Sequence, residues 1–169
     1  VFLPLGGCGE IGMNLNAYGY GPADDRRWII IDVGVTFGNA DTPGIDLIMP
    51  DVSFFEEEGD RIDAIFLTHA HEDHIGAIGL LISKLNRRAP IYATPFTAHL
   101  AAGKLAERGQ GDLTIDVLPL GGEKQAGPFT VRYITLTHSI PEPNALAIDT
   151  PLGRILQTGD WKIDPDPLV

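Results

Sequence analysis

The chain has 169 residues, with 23 acids against 12 bases and a formal net charge of −11, a balance that argues against a general nucleic-acid-binding surface. A single domain of this length buries roughly two thirds of its unfolded surface, so no disulfide scaffold is needed, and the lone Cys8 has no partner in the chain. No signal peptide and no apolar run of about eighteen residues appears, so no membrane partner and a reducing cytoplasm are expected.

In chain order, strands are predicted over 1–5, 14–20, 27–33, 62–68, 90–93, 113–118, 128–136, 144–149 and 154–158. Loops rich in Gly, Pro and Asp fall at 21–25, 38–51, 119–128 and 139–143, and there is no tandem repeat or low-complexity tract. The 62–68 run is mostly apolar, as expected of a central strand covered on both faces. In 128–136, Phe129, Val131 and Tyr133 alternate with Thr130 and Arg132. Two helices are expected. In the first, Ile75, Ile78, Leu81, Ile82 and Leu85 recur at helical spacing. In the second, Thr94 serves as the cap, Pro95 fits the first turn and Gly109 ends the helix. Strands outnumber helices and lie in groups on either side of the helical section, which favours a layered α/β (α+β) sandwich over a doubly wound sheet.

Near the start, Gly7-Cys8-Gly9-Glu10-Ile11-Gly12 matches G-x-G-x-x-G, and Asp32 follows about twenty residues later, as in a dinucleotide fingerprint. That fingerprint requires a helix after its third glycine. Residues 13–22 hold two Asn, two Gly and a Pro, so a strand entering a turn is expected and no dinucleotide is assigned. Cys8 is read as a small packing residue and His99 as a packing or surface residue of the second helix. Charge is uneven: Lys84, Arg87, Arg88, Lys104 and Arg108 face Glu107 alone within 84–108, and these bases are read as a solvated helix face.

The chemistry is concentrated in His69-Ala70-His71-Glu72-Asp73-His74, which holds three of the five histidines. Imidazole and carboxylate suit a borderline metal such as zinc, and this hexapeptide sits between a buried strand and a helix. Leu67-Thr68-His69 is echoed by Leu136-Thr137-His138, and the 154–158 strand runs into Gly159-Asp160. If these strands share one sheet, His138 and Asp160 emerge on the edge that carries the hexapeptide. Counting ligands then gives one metal to His69, His71 and His138 and the other to Asp73 and His74, with Asp160 bridging. A metal pair about 3.5–4 Å apart holds a hydroxide nucleophile and neutralises charge on the attacked group. Glu72 is read as a surface acid. Asp32, ending the apolar run Trp28-Ile29-Ile30-Ile31, is read as orienting a histidine through a hydrogen bond.

The segments Gly6-Gly7-Cys8-Gly9-Glu10-Ile11-Gly12-Met13-Asn14, Thr68 to Gly76, His138-Ser139-Ile140-Pro141-Glu142 and Thr158-Gly159-Asp160-Trp161-Lys162 together resemble the metallo-β-lactamase fold, specifically the ribonuclease J family of its β-CASP branch. The resemblance implies an αββα sandwich, of which residues 1–169 would form only the first part. It also implies two Zn2+ ions, with Mn2+ or Mg2+ as substitutes, and a homo-oligomer acting on single-stranded RNA. The implied activity is 5′-3′ exonucleolytic and endonucleolytic cleavage in RNA processing and decay. In that family a seventh ligand, a histidine, follows an inserted RNA-gripping β-CASP domain, and the chain contains neither; the general acid is likewise expected outside it. The missing initial Met and the Asp164-Pro165-Asp166-Pro167 ending read as a piece cut from something longer. Rival readings are a thioesterase or lactonase on the same fold, a redox di-iron centre, and an inactive isolated subdomain. The di-iron reading is disfavoured because domains of that kind generally carry an acid where His71 stands.

Overall fold

The structure, a computed structural model, describes residues 1–167. The last two residues of the expected 1–169 domain lie outside the described residues. The elements are β1 (Phe2–Gly6), β2 (Leu15–Tyr20), β3 (Arg27–Ile31), β4 (Thr36–Phe37), β5 (Leu47–Ile48), α1 (Ser53–Glu58), a 3-10 turn (Gly59–Arg61), β6 (Ile62–Phe66), α2 (Glu72–Ile75), α3 (Ile78–Leu85), β7 (Ile91–Ala93), α4 (Pro95–Glu107), β8 (Ile115–Val117), β9 (Glu123–Ala126), β10 (Phe129–Thr135), β11 (Asn144–Thr150) and β12 (Gly153–Gln157).

Two sheets pack face to face. The first has the order β1-β2-β3-β6-β7-β8; its β1-β2-β3 half is antiparallel, and β3-β6-β7-β8 run parallel. The second is the antiparallel β12-β11-β10-β9, and β4-β5 form a small separate ladder. Parallel pairing demands crossovers, and α3 and α4 supply them between β6, β7 and β8. The expected layered mixture of helix and strand is therefore present.

The inner strands β2, β3, β6 and β7 each feed two cores. Ile30, Ile65 and Ile91 join Phe55, Ile78, Ile82, Ala101 and Leu105 on the helical side. Ile29, Ile31, Phe66 and Tyr92 instead meet Phe129, Val131, Tyr133, Leu146 and Ile148 of the second sheet. This is why β3 and β6 read as continuous apolar runs, whereas β10 alternates, with its inward Phe129, Val131 and Tyr133 buried. On the second sheet's other side Ile134 and Leu156 remain exposed, and among the described residues no helix packs there.

The structure corrects several sequence expectations. The first helix starts earlier than its apolar spacing suggested and is broken at Gly76-Ala77, so Asp73 and His74 sit on the short α2 instead of in an open loop. Thr94 precedes α4 as expected but makes no capping bond with its side chain; the Phe96 N–H instead donates to the Glu142 carboxylate at 2.8 Å. Gly109, at φ +71°, does end that helix. The loop expected over 119–128 contains β9, whose Glu-Lys-Gln-Ala sequence is an exposed polar edge with no apolar alternation to reveal it. The six-residue α1 buries only Phe55, too little for a periodic signal. Cys8 is exposed, not packed.

Candidate metal centre

Leu67 extends the β6 ladder by donating its N–H to the Tyr92 carbonyl at 2.9 Å, so His69 follows directly from the sheet's C-terminal end. The α2 turn is clamped against the β1–β2 and β3–β4 connections. Asn14 N–H donates to the Asp73 carbonyl, Val33 N–H to that of His74 and Val35 N–H to that of Glu72, at 2.8, 2.7 and 3.1 Å. Gly34 permits this approach, because a Cβ there would stand 1.7 Å from the Asp73 carbonyl oxygen. His138 follows β10 and Asp160 follows β12. The three ligand-bearing strands therefore do not share one sheet: His69 comes from the first sheet and the other two residues from the second. The donors meet where the two sheets abut.

Two groups of donor atoms lie mutually within 4.8 Å: His69, His71 and His138 in one, and His69, His74 and Asp160 in the other. The Asp160 carboxylate oxygen is 3.6 Å from His74 Nε2 and 3.8 Å from His138 Nε2, so it stands between the two groups. Asp73 belongs to neither group by this measure, although its carboxylate approaches His74 Nε2 to 3.6 Å. Glu72 points away and pairs with Lys104 on α4. His99 is exposed on α4 and outside both groups.

Hydrogen bonds fix which ring nitrogens are free. Asp32, buried at the end of β3 with φ +64°, accepts from Thr68 N–H, from the Thr68 hydroxyl and from His74 Nδ1–H, each at 2.8 Å. Having spent its one proton on Asp32, the Thr68 hydroxyl accepts from His69 Nδ1–H at 3.0 Å. Both histidines thereby turn Nε2, not Nδ1, toward the site. His69 Nε2 then lies 3.0 Å from His71 Nδ1. Two ring nitrogens that close need a proton or a cation between them, and ligands each about 2.0–2.1 Å from a zinc ion lie roughly this far apart.

Electrostatics set the two buried histidines apart. Burial, reinforced by the nearby His74 and His71, pushes the His69 imidazole down to about 2, which keeps it neutral and available as a ligand. His138 is lowered by burial and then by His71. Burial also acts to lower His74, but Asp32, Asp160 and Asp73 outweigh it and push it up to about 10. Pairing with His74 holds the Asp160 carboxyl down to about 2. The pocket thus gathers the carboxylates of Asp32, Asp73 and Asp160 around a proton-holding His74 and beside the neutral His69, and a divalent metal would take the place of that proton.

Sequence reasoning missed two contributors. Thr68 has no role of its own in the sequence pattern, yet it relays Asp32 to His69. Asn14 lies in the Gly-rich opening; its amide donates to the Asp73 carbonyl at 3.1 Å and approaches His74 Nε2 to 3.1 Å. The Gly7–Gly12 loop leads into strand β2, not a helix.

A family model described as the metallo-beta-lactamase superfamily matches residues 16–162. The chain belongs to the metallo-beta-lactamase superfamily. Within it, similarity to ribonuclease J is strong and consistent. The ribonuclease J of Sinorhizobium meliloti is 50% identical over 168 residues, covering 99% of this chain and 29% of the relative. That of Corynebacterium glutamicum is 44% identical over 163 residues, covering 96% of this chain and 22% of the relative. The chain thus spans between a fifth and a third of the length of these curated relatives. The metallo-beta-lactamase fold protein YhfI from Bacillus subtilis superposes with a TM-score of 0.61 at 17% identity, over 97% of this chain and 63% of that one, a likeness of fold alone.

Proposed function

We propose that this chain carries the metal-binding part of a metal-dependent ribonuclease that hydrolyses phosphodiesters of single-stranded RNA, in RNA processing and decay. The observation that carries the reading is the pair of His/Asp donor groups, sharing His69, in a chain homologous to proteins named ribonuclease J. In this reading His69, His71 and His138 hold one ion, Asp73 and His74 help hold a second, and Asp160 contacts both; zinc is the natural ion, with manganese or magnesium as substitutes. When bound, such a pair lowers the pKa of a water and offsets negative charge growing on the attacked phosphate. The chain's own part is positional. Asp32 and Thr68 hold His74 and His69 with Nε2 presented, and Asn14 steadies the α2 turn beneath Asp73.

The finer assignments belong to the same proposal: 5′-3′ exonucleolytic and endonucleolytic action, homo-oligomerisation and a cytoplasmic setting. Among the described residues no helix is long and apolar enough to cross a membrane. Of the basic residues of 84–108, Lys84, Arg87 and Lys104 are not assigned to RNA, because they pair with Glu56, Asp112 and Glu72. We take residues 1–169 as the first portion of a metallo-β-lactamase-like domain, with the β-CASP and later parts outside it. Because the chain spans so little of its relatives, we propose that residues 1–169 alone have little or no ribonuclease activity. The test is cleavage of a 5′-monophosphorylated single-stranded RNA by the intact protein, beside thioester and lactone substrates. Chelation should abolish RNA cleavage and zinc should restore it. Turnover of a thioester or lactone with none of RNA would replace this reading with that of a small-molecule hydrolase.

A further inference from the structure

The ligands come from two sheets, so something must set the distance between those sheets at the site. Asn144, the first residue of β11, is fully buried and lies where the three ligand-bearing segments meet. Its amide nitrogen donates to the Thr68 carbonyl at 3.1 Å, immediately before His69. The same nitrogen donates to the Glu142 carbonyl at 2.7 Å, in the connection that carries His138. Its own backbone carbonyl packs on Gly159, where a Cβ would stand 2.8 Å from that oxygen, directly before Asp160. The Glu142 connection is pinned in turn: its residue sits at φ +54°, and its carboxylate accepts the Phe96 N–H at the start of α4.

We propose that Asn144 is the positioning residue that sets the spacing of the metal donors across the two sheets, a role that rests on the metal-centre reading above. One side chain spans the gap because an amide NH2 carries two protons and can serve two carbonyls from different sheets at once. Thr68 is fully buried, so its carbonyl has no water to replace the amide, and removing the amide leaves the His69 segment and the half-buried Glu142 connection free to shift apart. The segments bearing His69 and His138 then lose their common reference.

The test is zinc affinity of the metal-free intact protein, measured at a temperature well below the unfolding midpoint, together with the visible spectrum of the cobalt-substituted protein. Asn144→Ala should weaken zinc binding at least tenfold and alter the cobalt spectrum. Val131→Ala, a truncation in the core between the sheets away from the donors, should lower the unfolding midpoint but leave affinity and spectrum unchanged. Asn144→Ser, which keeps a single donor, should fall between wild type and Asn144→Ala, and it carries the test if the alanine variant does not fold. Wild-type zinc affinity in Asn144→Ser, with or without a folded alanine variant, would overturn the proposal, as would an equal loss of affinity in Val131→Ala. Failure of the wild-type protein to bind zinc would instead overturn the metal-centre reading itself.

Discussion

The two sides of the candidate centre are built differently. His69 and His74 are buried, and each has one ring nitrogen tied, directly or through Thr68, to the single carboxylate of Asp32. His71 and His138 are half-buried, and among the described residues neither has a hydrogen-bonded carboxylate to orient it. One side is fixed by the fold before any ion arrives. The other would complete its geometry on taking up an ion, so folding and metal binding should be separable by mutation.

The largest effect should come from the shared support of the buried side. Asp32→Ala strands three donors in the interior, and breaking a buried charged network of this kind costs about 3–5 kcal/mol. The midpoint of denaturant unfolding should fall accordingly, and metal affinity should drop by about 10–100-fold. A nearly unchanged midpoint would break the comparison at its stronger end. Gly34→Ala should rank next, because its Cβ would meet the Asp73 backbone and push the α2 turn away, at a cost of about 1–3 kcal/mol or more. It should also weaken metal binding, which calorimetry would report.

On the half-buried side the order reverses. His138→Ala should change the stability of the metal-free protein by less than about 1 kcal/mol, yet abolish the tighter zinc-binding event in a titration. Retention of that event would remove His138 from the site. Asp73→Ala should likewise leave the fold nearly intact while lowering RNA cleavage by the intact protein more than tenfold, over about 1.4 kcal/mol in barrier terms. The smallest effect should be that of Lys104→Ala. Its pairing with Glu72 is largely surface-exposed, so stability should shift by less than about 1 kcal/mol and metal affinity not at all.

What could be read from the sequence follows the same division between local and non-local order. The hexapeptide, the strand-end echo at His138 and the Gly-Asp after β12 declare themselves because spacing and strand termination are local properties. Asp32 was legible as an orienting residue because an acid closing the run Trp28 to Ile31 has to find a partner. The sheet assignment was not legible. Leu67-Thr68-His69 and Leu136-Thr137-His138 look equivalent as strings, and only long-range pairing places the first beside β3 and β7 and the second beside β9 and β11. The same holds for Glu142 capping a helix 46 positions away and for Asn144 reaching Thr68, since neither contact leaves a periodic trace.

The central claim, that donors from two sheets form one metal-binding centre, is tested most directly by anomalous X-ray diffraction at the zinc edge from crystals of the zinc-loaded intact protein. The account predicts one peak among His69, His71 and His138 and a second beside His74 and Asp160. Zinc bound elsewhere, or an empty site at saturating zinc, would contradict it.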